Sequence, residues 1–178
     1  IDPWFIDPLF RNCGEIDFMK NDSNHCMESN VNTLLIAIQK KYDEYGVDQK
    51  PYVVVKADAG TYGMGIMTVN SAEELLDMNR KERTKMSTSK EGQKITKVIL
   101  QEGVYTNETW GADKTVAESV VYMIDKNVVG GFYRVHPKKG ANENLNSPGM
   151  QFEKLAFEDC CVSPDKDQSP DANPNRFY

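Results

Sequence analysis

The feature that most constrains the fold is an apolar run that passes through one lysine into a glycine-rich segment. Residues 51–69 read PYVVVKADAGTYGMGIMTV, in which the β-branched run Tyr52–Val55 is typical of a buried strand and Lys56 ends that run. A small, flexible segment follows, and apolar residues return at Ile66. Its glycines are Gly60, Gly63 and Gly65. Glycines at this density let backbone N–H groups turn toward one point, so an anion can approach without meeting a Cβ.

The order of these pieces excludes two common nucleotide loops. No Gly-Lys-Ser/Thr opens a helix, so this is not a Walker loop, and a strand follows where a Rossmann fingerprint has a helix. Two interpretations stay open on this stretch alone. One is a phosphate-binding hairpin to which Lys56 supplies positive charge, and the other is an ordinary hairpin with a glycine-rich turn.

Composition indicates a soluble globular chain and argues against several kinds of partner. The 178 residues carry a net charge of −6 with 39% hydrophobic residues, which fits one domain or two small subdomains and does not suit a nucleic-acid binder. With no apolar run long enough to span a bilayer and no secretory leader, no membrane partner is expected and the expected location is the cytoplasm. The cysteines, which show no CxxC spacing and are predicted to be free thiols, are Cys13, Cys26, Cys160 and Cys161.

Two helices are predicted around the glycine-rich segment. The first runs from Asn30, its predicted N-cap, to Tyr45, with Gly46 as its C′ stop. Its apolar face is formed by Val31, Leu34, Leu35, Ile38, Tyr42 and Tyr45. The second begins at the capping box Ser71–Glu74 and runs to about Asn79. Residues 1–27, with two Asp-Pro pairs, read as an aromatic-rich connection, and the charged stretch 80–97 as an exposed segment.

Further strands are predicted in the second half of the chain. Residues 98–100 are apolar and lead into Gln101, Glu102, Gly103 and Val104. Residues 116–124 and 128–135 are β-rich runs joined by Asp125–Asn127, which predicts a hairpin. Arg134 lies on its second strand, where the guanidinium either stabilises a phosphoryl group in transfer or is an ordinary surface arginine.

In this order, the segments resemble the ATP-grasp ligases. The strand lysine with its glycine hairpin comes first, then the strand ending in Gln101–Val104, then the hairpin with Arg134, then a polar loop with Asn144-Leu145 and Gly149. The phrases VVVKADAGTYGMGIM and VYMIDKNVVGGFYRVHPKKGANENLNSPGMQFEKLAF are similar to the proteobacterial glutamate–cysteine ligase family of ATP-grasp type, first defined in iron-oxidising bacteria. The resemblance covers Ile1 to about Glu158.

The resemblance implies an α+β, ATP-grasp-like fold in which two small subdomains enclose a nucleotide cleft. Residues 1–50 would be the end of a substrate region with a leading helix, 51–104 the first subdomain, 105–158 the second, and 159–178 a polar, exposed or disordered tail. The family's chains are longer, so an amino-terminal substrate domain and carboxy-terminal site residues are expected outside this chain.

The implied reaction joins the γ-carboxylate of glutamate to the amine of cysteine through an acyl phosphate, with ATP and Mg²⁺. Lys56 and Arg134 would be catalytic, the Gln101–Val104 backbone would meet adenine, and an acidic residue there could hold the ribose. The implied nucleotide-binding residues are Lys56, Gly60, Thr61, Tyr62, Gly63, Met64, Gly65, Gln101, Glu102, Gly103, Val104, Arg134 and Asn144.

No magnesium ligand is assigned from the sequence. Asn142–Asn144, Glu153, Glu158 and Asp159 supply oxygen ligands near the expected position, but none of them matches the family's acidic pattern. Two other functions stay open. One is another ATP-grasp carboxylate–amine ligase such as glutathione synthetase, and the other is a non-catalytic nucleotide-binding module.

Overall fold

The computed structural model describes residues 1–20, 25–58, 65–89 and 92–154, and it has an α+β fold in two units. The first unit is Ile1–Val104 and the second begins at Tyr105. In chain order the described elements are a 3₁₀ helix Pro3–Phe5, β1 Phe10–Cys13, α1 His25–Tyr45, β2 Val53–Ala57, β3 Ile66–Val69, α2 Glu73–Leu76, α3 Arg80–Ser87, β4 Val98–Glu102, β5 Thr109–Trp110, β6 Thr115–Ile124, β7 Asn127–Val135 and β8 Gln151–Lys154. None of the helices in these ranges is long and apolar enough to cross a membrane.

The first unit is an antiparallel sheet with the strand order β1-β4-β2-β3, packed on α1 by one face. The strand residues on that face, each at most 1% exposed, are Val53, Val55, Val69, Val98 and Leu100. The buried residues of α1 are Met27, Val31, Leu34, Ile38 and Tyr42. Burying one such aliphatic side chain stabilises the fold by about 1.5–3 kcal/mol. The helix and this face of the sheet therefore form the core of the unit.

Helix α1 confirms the predicted end and most of the predicted apolar stripe, but the predicted start is wrong. Val31, Leu34, Ile38 and Tyr42 are buried and Leu35 is half-buried, whereas Tyr45 is 39% exposed. Gly46 has φ +66°, the left-handed conformation of a C′ glycine. At the other end the helix begins at His25, so Asn30 lies inside it and is no N-cap. Met27, 0% exposed, extends the buried stripe by a further turn, and this packing outweighs the capping preference of asparagine.

The stretch after β3 folds differently from its prediction. The capping box at Ser71 does not start a long helix, because α2 ends at Leu76 and its N-cap, Ala72, makes no side-chain cap hydrogen bond. The capping box forms at Asn79 instead, whose Oδ1 accepts from the backbone N–H of Lys81 and Glu82 at 2.9 and 3.0 Å. Helix α3 therefore occupies part of the charged stretch predicted to be merely exposed.

The N-terminal residues are part of the first unit and not a simple connection. Strand β1 pairs with β4, which the sequence did not predict. Before it, Trp4 stacks on Tyr45 with ring centroids 5.3 Å apart. Asp2 accepts hydrogen bonds from Lys41 Nζ at 2.5 Å and Tyr45 Oη at 2.8 Å, and these contacts, with the Trp4 backbone N–H, lower its pKa to about 2. The segment is thereby fastened to the last turns of α1.

The second unit is built on the predicted hairpin. Its antiparallel sheet has the order β5-β6-β7-β8 within the described residues. Strands β6 and β7 confirm the hairpin to within one residue, and the turn consists of Asp125 and Lys126, with φ +53° at Asp125. One face of the sheet carries the small core Ala117, Tyr133 and Val135, against which Trp110 packs. The loop between β7 and β8 adds two buried residues, His136 and Leu145.

Candidate functional site

Lys56 and Gln101 lie side by side on the open face of the first sheet. Lys56 lies on β2, as predicted, and the strand continues one residue further to Ala57. Strand register places Val54 opposite Gln101 and Lys56 opposite Ile99, so these four residues share one face. The Lys56 ammonium donates a hydrogen bond to Oε1 of Gln101. This face is half-buried and combines apolar side chains with one cation and one amide.

Glu102, the next residue along β4, points to the opposite face. Its side chain is 4% exposed. The indole N–H of Trp4 donates to both carboxylate oxygens at 3.0 Å, and the backbone N–H of Leu9 donates to one of them at 3.0 Å. Successive strand residues alternate between faces, so Gln101 and Glu102 cannot both face Lys56. The carboxylate of Glu102 thus holds the N-terminal segment, and Gln101 is the partner of Lys56.

The chain leaves β4 along a tightly packed path over Tyr52. The backbone N–H of Gly103 donates to the carbonyl oxygen of Tyr52 at 2.9 Å, and the Tyr52 hydroxyl donates to the carbonyl oxygen of Val104 at 2.8 Å. A Cβ at Gly103 would lie 2.0 Å from Cε2 of Tyr52. Gly103 is therefore required by this close approach, and one aromatic ring fixes the conformation of Gly103 and Val104.

Only the end of the predicted phosphate loop can be located. Gly60, Thr61, Tyr62, Gly63 and Met64 lie outside the described residues. Gly65 is described: it has φ +66°, and its carbonyl oxygen accepts from the Ala57 N–H at 3.2 Å. A cavity of about 110 Å³ lies alongside, lined in part by Ala57, Asp58, Lys94 and Lys97. Among the described residues, this cavity is smaller than the roughly 300–1,000 Å³ typical of ligand pockets.

Arg134 lies in the second unit, on the face of its sheet opposite the small core. Its Nη1 donates to Oε1 of Glu118 at 2.5 Å, and its Nε is buried without a hydrogen-bond partner among the described residues. Phe132 and Phe152 flank it on the same face with ring centroids 5.0 Å apart in an edge-to-face arrangement. The guanidinium is thus held by one carboxylate while further N–H donors remain, as recognition of an anion requires. Sequence reasoning had not identified Glu118.

Asn144 organises the loop that follows β7. Its Oδ1 accepts from the backbone N–H of Asn146 at 2.9 Å, and the adjacent Leu145 is 1% exposed. The buried His136 accepts at Nδ1 from the Lys138 N–H at 3.3 Å, so its Nε2 carries the proton that is donated to the carbonyl oxygen of Pro148 at 3.2 Å. These contacts give the Asn144 loop a defined shape beside the strand that carries Arg134.

The described residues do not identify a magnesium site. They contain no group of three or more His, Cys, Asp or Glu side chains placed to hold a metal ion. Glu143 accepts from Lys139 Nζ at 2.6 Å and from the Gly140 N–H at 2.8 Å, and these contacts lower the pKa of its carboxyl. Its oxygens therefore serve to shape the loop. Glu158 and Asp159 lie outside the described residues.

Comparison with known proteins places these features in a family. The family model for glutamate-cysteine ligase (GshA) matches residues 1–178. A crystal structure provisionally assigned as gamma-glutamylcysteine synthetase, from Methylobacillus flagellatus KT, is 58% identical with a TM-score of 0.76. The match covers 100% of this chain but 42% of the matched chain, so this sequence spans less than half the length of that protein. No curated protein matches the sequence. The chain belongs to the glutamate–cysteine ligase family.

Proposed function

We propose that this chain is the nucleotide-binding part of a ligase that uses ATP to join the γ-carboxylate of glutamate to the amine of cysteine, the first step of glutathione biosynthesis. The observation that carries the proposal is the pairing of Lys56 with Gln101 on the sheet face that α1 leaves open. Family membership supports the choice of reaction. We further propose that the chain works in the ATP-grasp manner, with Mg²⁺ as the metal.

The open face of the first sheet suits a nucleotide. Its half-buried aliphatic residues Val54, Ile66 and Ile99 offer apolar contact for a flat base, and Lys56 supplies the positive charge for the α- and β-phosphates. The glycine segment 60–65 would add backbone N–H donors. Because the backbone N–H groups of Glu102 and Gly103 already donate to Leu9 and Tyr52, we expect adenine to meet carbonyl oxygens of this strand end.

Arg134 has the chemistry for the transferred phosphoryl group. A guanidinium stays charged at every working pH and offers several N–H donors at fixed angles, of which Glu118 engages Nη1. Donors placed where charge develops in the transition state are among the largest contributors to rate. Asn144, on the loop that follows β7, is proposed as an additional polar contact for the nucleotide.

The reaction needs no protein nucleophile. Glutamate's γ-carboxylate oxygen takes the γ-phosphoryl group of ATP and ADP leaves. The cysteine amine then attacks the acyl carbon, phosphate departs, and the amine gives up a proton as the amide forms. Mg²⁺ would neutralise phosphate charge, with ligands supplied outside the described residues. The chain's own residues position the reactants and stabilise charge. A reaction of ATP with a free thiol amino acid fits the cytoplasm, which we propose as its location.

The products of the full-length protein test this proposal. With ATP, glutamate and cysteine together, we expect ADP, phosphate and γ-glutamylcysteine, and with either amino acid alone we expect almost no ADP. Supplying γ-glutamylcysteine and glycine instead tests the glutathione synthetase alternative. ATP binding without ADP release under either condition would favour a non-catalytic nucleotide-binding module.

Substitution of Lys56 should weaken ATP binding, whereas substitution of Arg134 should lower the turnover rate. Lys56→Ala should weaken ATP affinity itself by about 1.5–3 kcal/mol, the typical contribution of a charged hydrogen bond. Arg134→Ala should leave affinity nearly intact and lower turnover roughly a hundredfold or more. Calorimetry and steady-state rates measure the two effects, with the exposed Lys40→Ala and Arg80→Ala as matched controls. Near-normal affinity in Lys56→Ala, or near-normal turnover in Arg134→Ala, would contradict the role assigned to that residue.

A further inference from the structure

Two thiols meet where β1 ends and α1 begins. Cys13, the last residue of β1, is 3% exposed, whereas Cys26, in the first turn of α1, is exposed. Their sulfur atoms lie 4.0 Å apart. Asn30, one helical turn beyond Cys26, donates its side-chain amide to Sγ of Cys13 at 3.2 Å and to Sγ of Cys26 at 3.4 Å. One amide group therefore contacts both sulfurs.

We propose that Cys13 and Cys26 form a redox-active pair that small-molecule disulfides convert into an intramolecular disulfide. Both thiols are free in the structure. A sulfur–sulfur distance of 4.0 Å is a van der Waals contact, so closing to the bond length of about 2 Å needs a movement of about 2 Å. The side chain of Cys26 is exposed and can supply that movement without disturbing the core.

The unequal burial of the two thiols sets the order of reaction. Desolvation raises the pKa of the buried Cys13 thiol, and no bulky reagent can reach it directly. Cys26 reacts first: its thiolate attacks one sulfur of a disulfide RS–SR, forms a mixed disulfide and releases RS⁻. Cys13 then loses its proton to solvent and attacks Sγ of Cys26, and the second RS⁻ leaves. In sum, two protein thiols are oxidised to one disulfide while RS–SR is reduced to two RSH.

The bond would join β1, the edge strand of the proposed nucleotide sheet, to α1, the helix that packs on that sheet. Cys13 is opposite Val98 in the β1–β4 pairing, and Phe10 of the same strand is opposite Gln101. A disulfide between Cys13 and Cys26 closes a short loop and restricts the unfolded chain, which raises the stability of the folded unit. The oxidised form should therefore exchange its β1 and β4 amide hydrogens more slowly than the reduced form.

The digestion pattern of the chain makes the test direct. Trypsin places Cys13 in peptide 12–20, Cys26 in peptide 21–40, and both Cys160 and Cys161 in peptide 155–166. The reduced full-length protein is incubated with glutathione disulfide and glutathione at several ratios, blocked with N-ethylmaleimide, digested and analysed by mass spectrometry. We expect peptides 12–20 and 21–40 to appear linked through one disulfide, and to separate when a reductant is added.

Three other results would overturn the proposal. The first is that peptides 12–20 and 21–40 both carry N-ethylmaleimide at every ratio. The second is a stable glutathione adduct on peptide 21–40 while Cys13 stays a thiol. The third is a disulfide link from either peptide to peptide 155–166. In Cys26→Ser, which leaves the core untouched, Cys13 should lose nearly all reaction with glutathione disulfide. Rapid labelling of Cys13 in that variant would contradict the order of attack.

Two matched variants test whether the side-chain amide of Asn30, which contacts both sulfur atoms, promotes disulfide formation. Asn30→Ala removes both contacts to sulfur and should slow formation of the linked peptides about fivefold, the equivalent of one modest hydrogen bond. Asn32→Ala changes an exposed asparagine of the same helix and should not alter the rate. Equal rates in the two variants would contradict the role given to Asn30.

Discussion

Replacing Gly103 by alanine should destabilise the first unit more than any ordinary glycine substitution. The new Cβ would lie 2.0 Å from Cε2 of Tyr52 and 2.3 Å from Cδ2 and Cζ, where van der Waals contact needs more than 3 Å. The ring cannot move aside easily, because Tyr52 is 3% exposed and its hydroxyl is bonded to Val104. Overpacking of a core commonly lowers the free energy of unfolding by about 1–3 kcal/mol. The buried ring of Tyr52 would have to move by about 1 Å or more to admit the new Cβ, so we expect a cost of about 3 kcal/mol or more for Gly103→Ala.

The assay is urea denaturation of the full-length protein, with hydrogen exchange of peptides covering 52–57 and 98–104 to localise the effect. Gly14→Ala is the matched control, since a Cβ at Gly14 meets no atom within 4 Å and its φ is not positive. That control should change stability by less than about 0.5 kcal/mol.

A second substitution separates steric conflict from other causes. Tyr52→Val removes Cδ2, Cε2 and Cζ, the three atoms nearest the added Cβ, while keeping a residue suited to the start of a strand. In that background Gly103→Ala should cost less than about 1 kcal/mol, which a double-mutant cycle measures as coupling. An unchanged cost, or a Gly103→Ala protein as stable as wild type, would refute the close-approach argument.

Three further changes should have these effects. Trp4→Phe keeps an aromatic ring but removes the N–H donated to Glu102, and should lower the free energy of unfolding by about 1.5–3 kcal/mol in urea. Asp2→Asn should be less stable than wild type above pH 4, and this gap should close as the pH falls from the normal carboxyl pKa of 3.8 toward the folded-state value of about 2, which paired thermal melts across that range will check. Leu145→Ala removes a side chain that is 1% exposed, and should cost about 2–5 kcal/mol, seen as faster hydrogen exchange in the Asn144 loop.

Local patterns in the sequence were enough to predict the elements with strong periodicity. The apolar stripe of α1 and its end at Gly46 follow from spacing and from a glycine at C′, and the β6–β7 hairpin follows from two β-rich runs with a short polar turn. The start of α1 could not be predicted in this way. Burial of Met27 decides it, and burial depends on the sheet against which the helix packs.

The presence of strand β1 in the sheet could not be predicted from the local sequence either. Residues 10–13 read FRNC, with no apolar alternation, and three of the four are exposed. They form a strand because β4 offers an open edge, a tertiary cause that a local pattern does not contain. The Asp-Pro pairs before it gave no indication of the contacts from Trp4 and Leu9 to Glu102.

The partner of Arg134 illustrates how a single irregularity changes a site. In a regular hairpin with its turn at Asp125 and Lys126, Arg134 would lie opposite Ala117. The register shifts between Tyr122 and Met123, and the observed neighbour is Glu118. Such a β-bulge moves every later pair by one residue and so turns an acidic side chain toward the arginine. Knowing the two strands was therefore insufficient to find the ion pair.

The contact between Trp4 and Glu102 gives the protein a built-in optical reporter. The indole of Trp4 stacks on Tyr45, and its N–H donates a hydrogen bond to the carboxylate of Glu102, the residue after Gln101. Fluorescence of an indole responds to neighbouring charge and to the polarity around its N–H. A small displacement of Gln101 and Glu102 at the end of β4 therefore changes the emission of Trp4, which lies on the face of the sheet opposite Gln101. The other tryptophan of this chain, Trp110, belongs to the second unit. Trp110→Phe would leave Trp4 as the chain's single indole signal, with which ligand titrations can be followed without an attached dye.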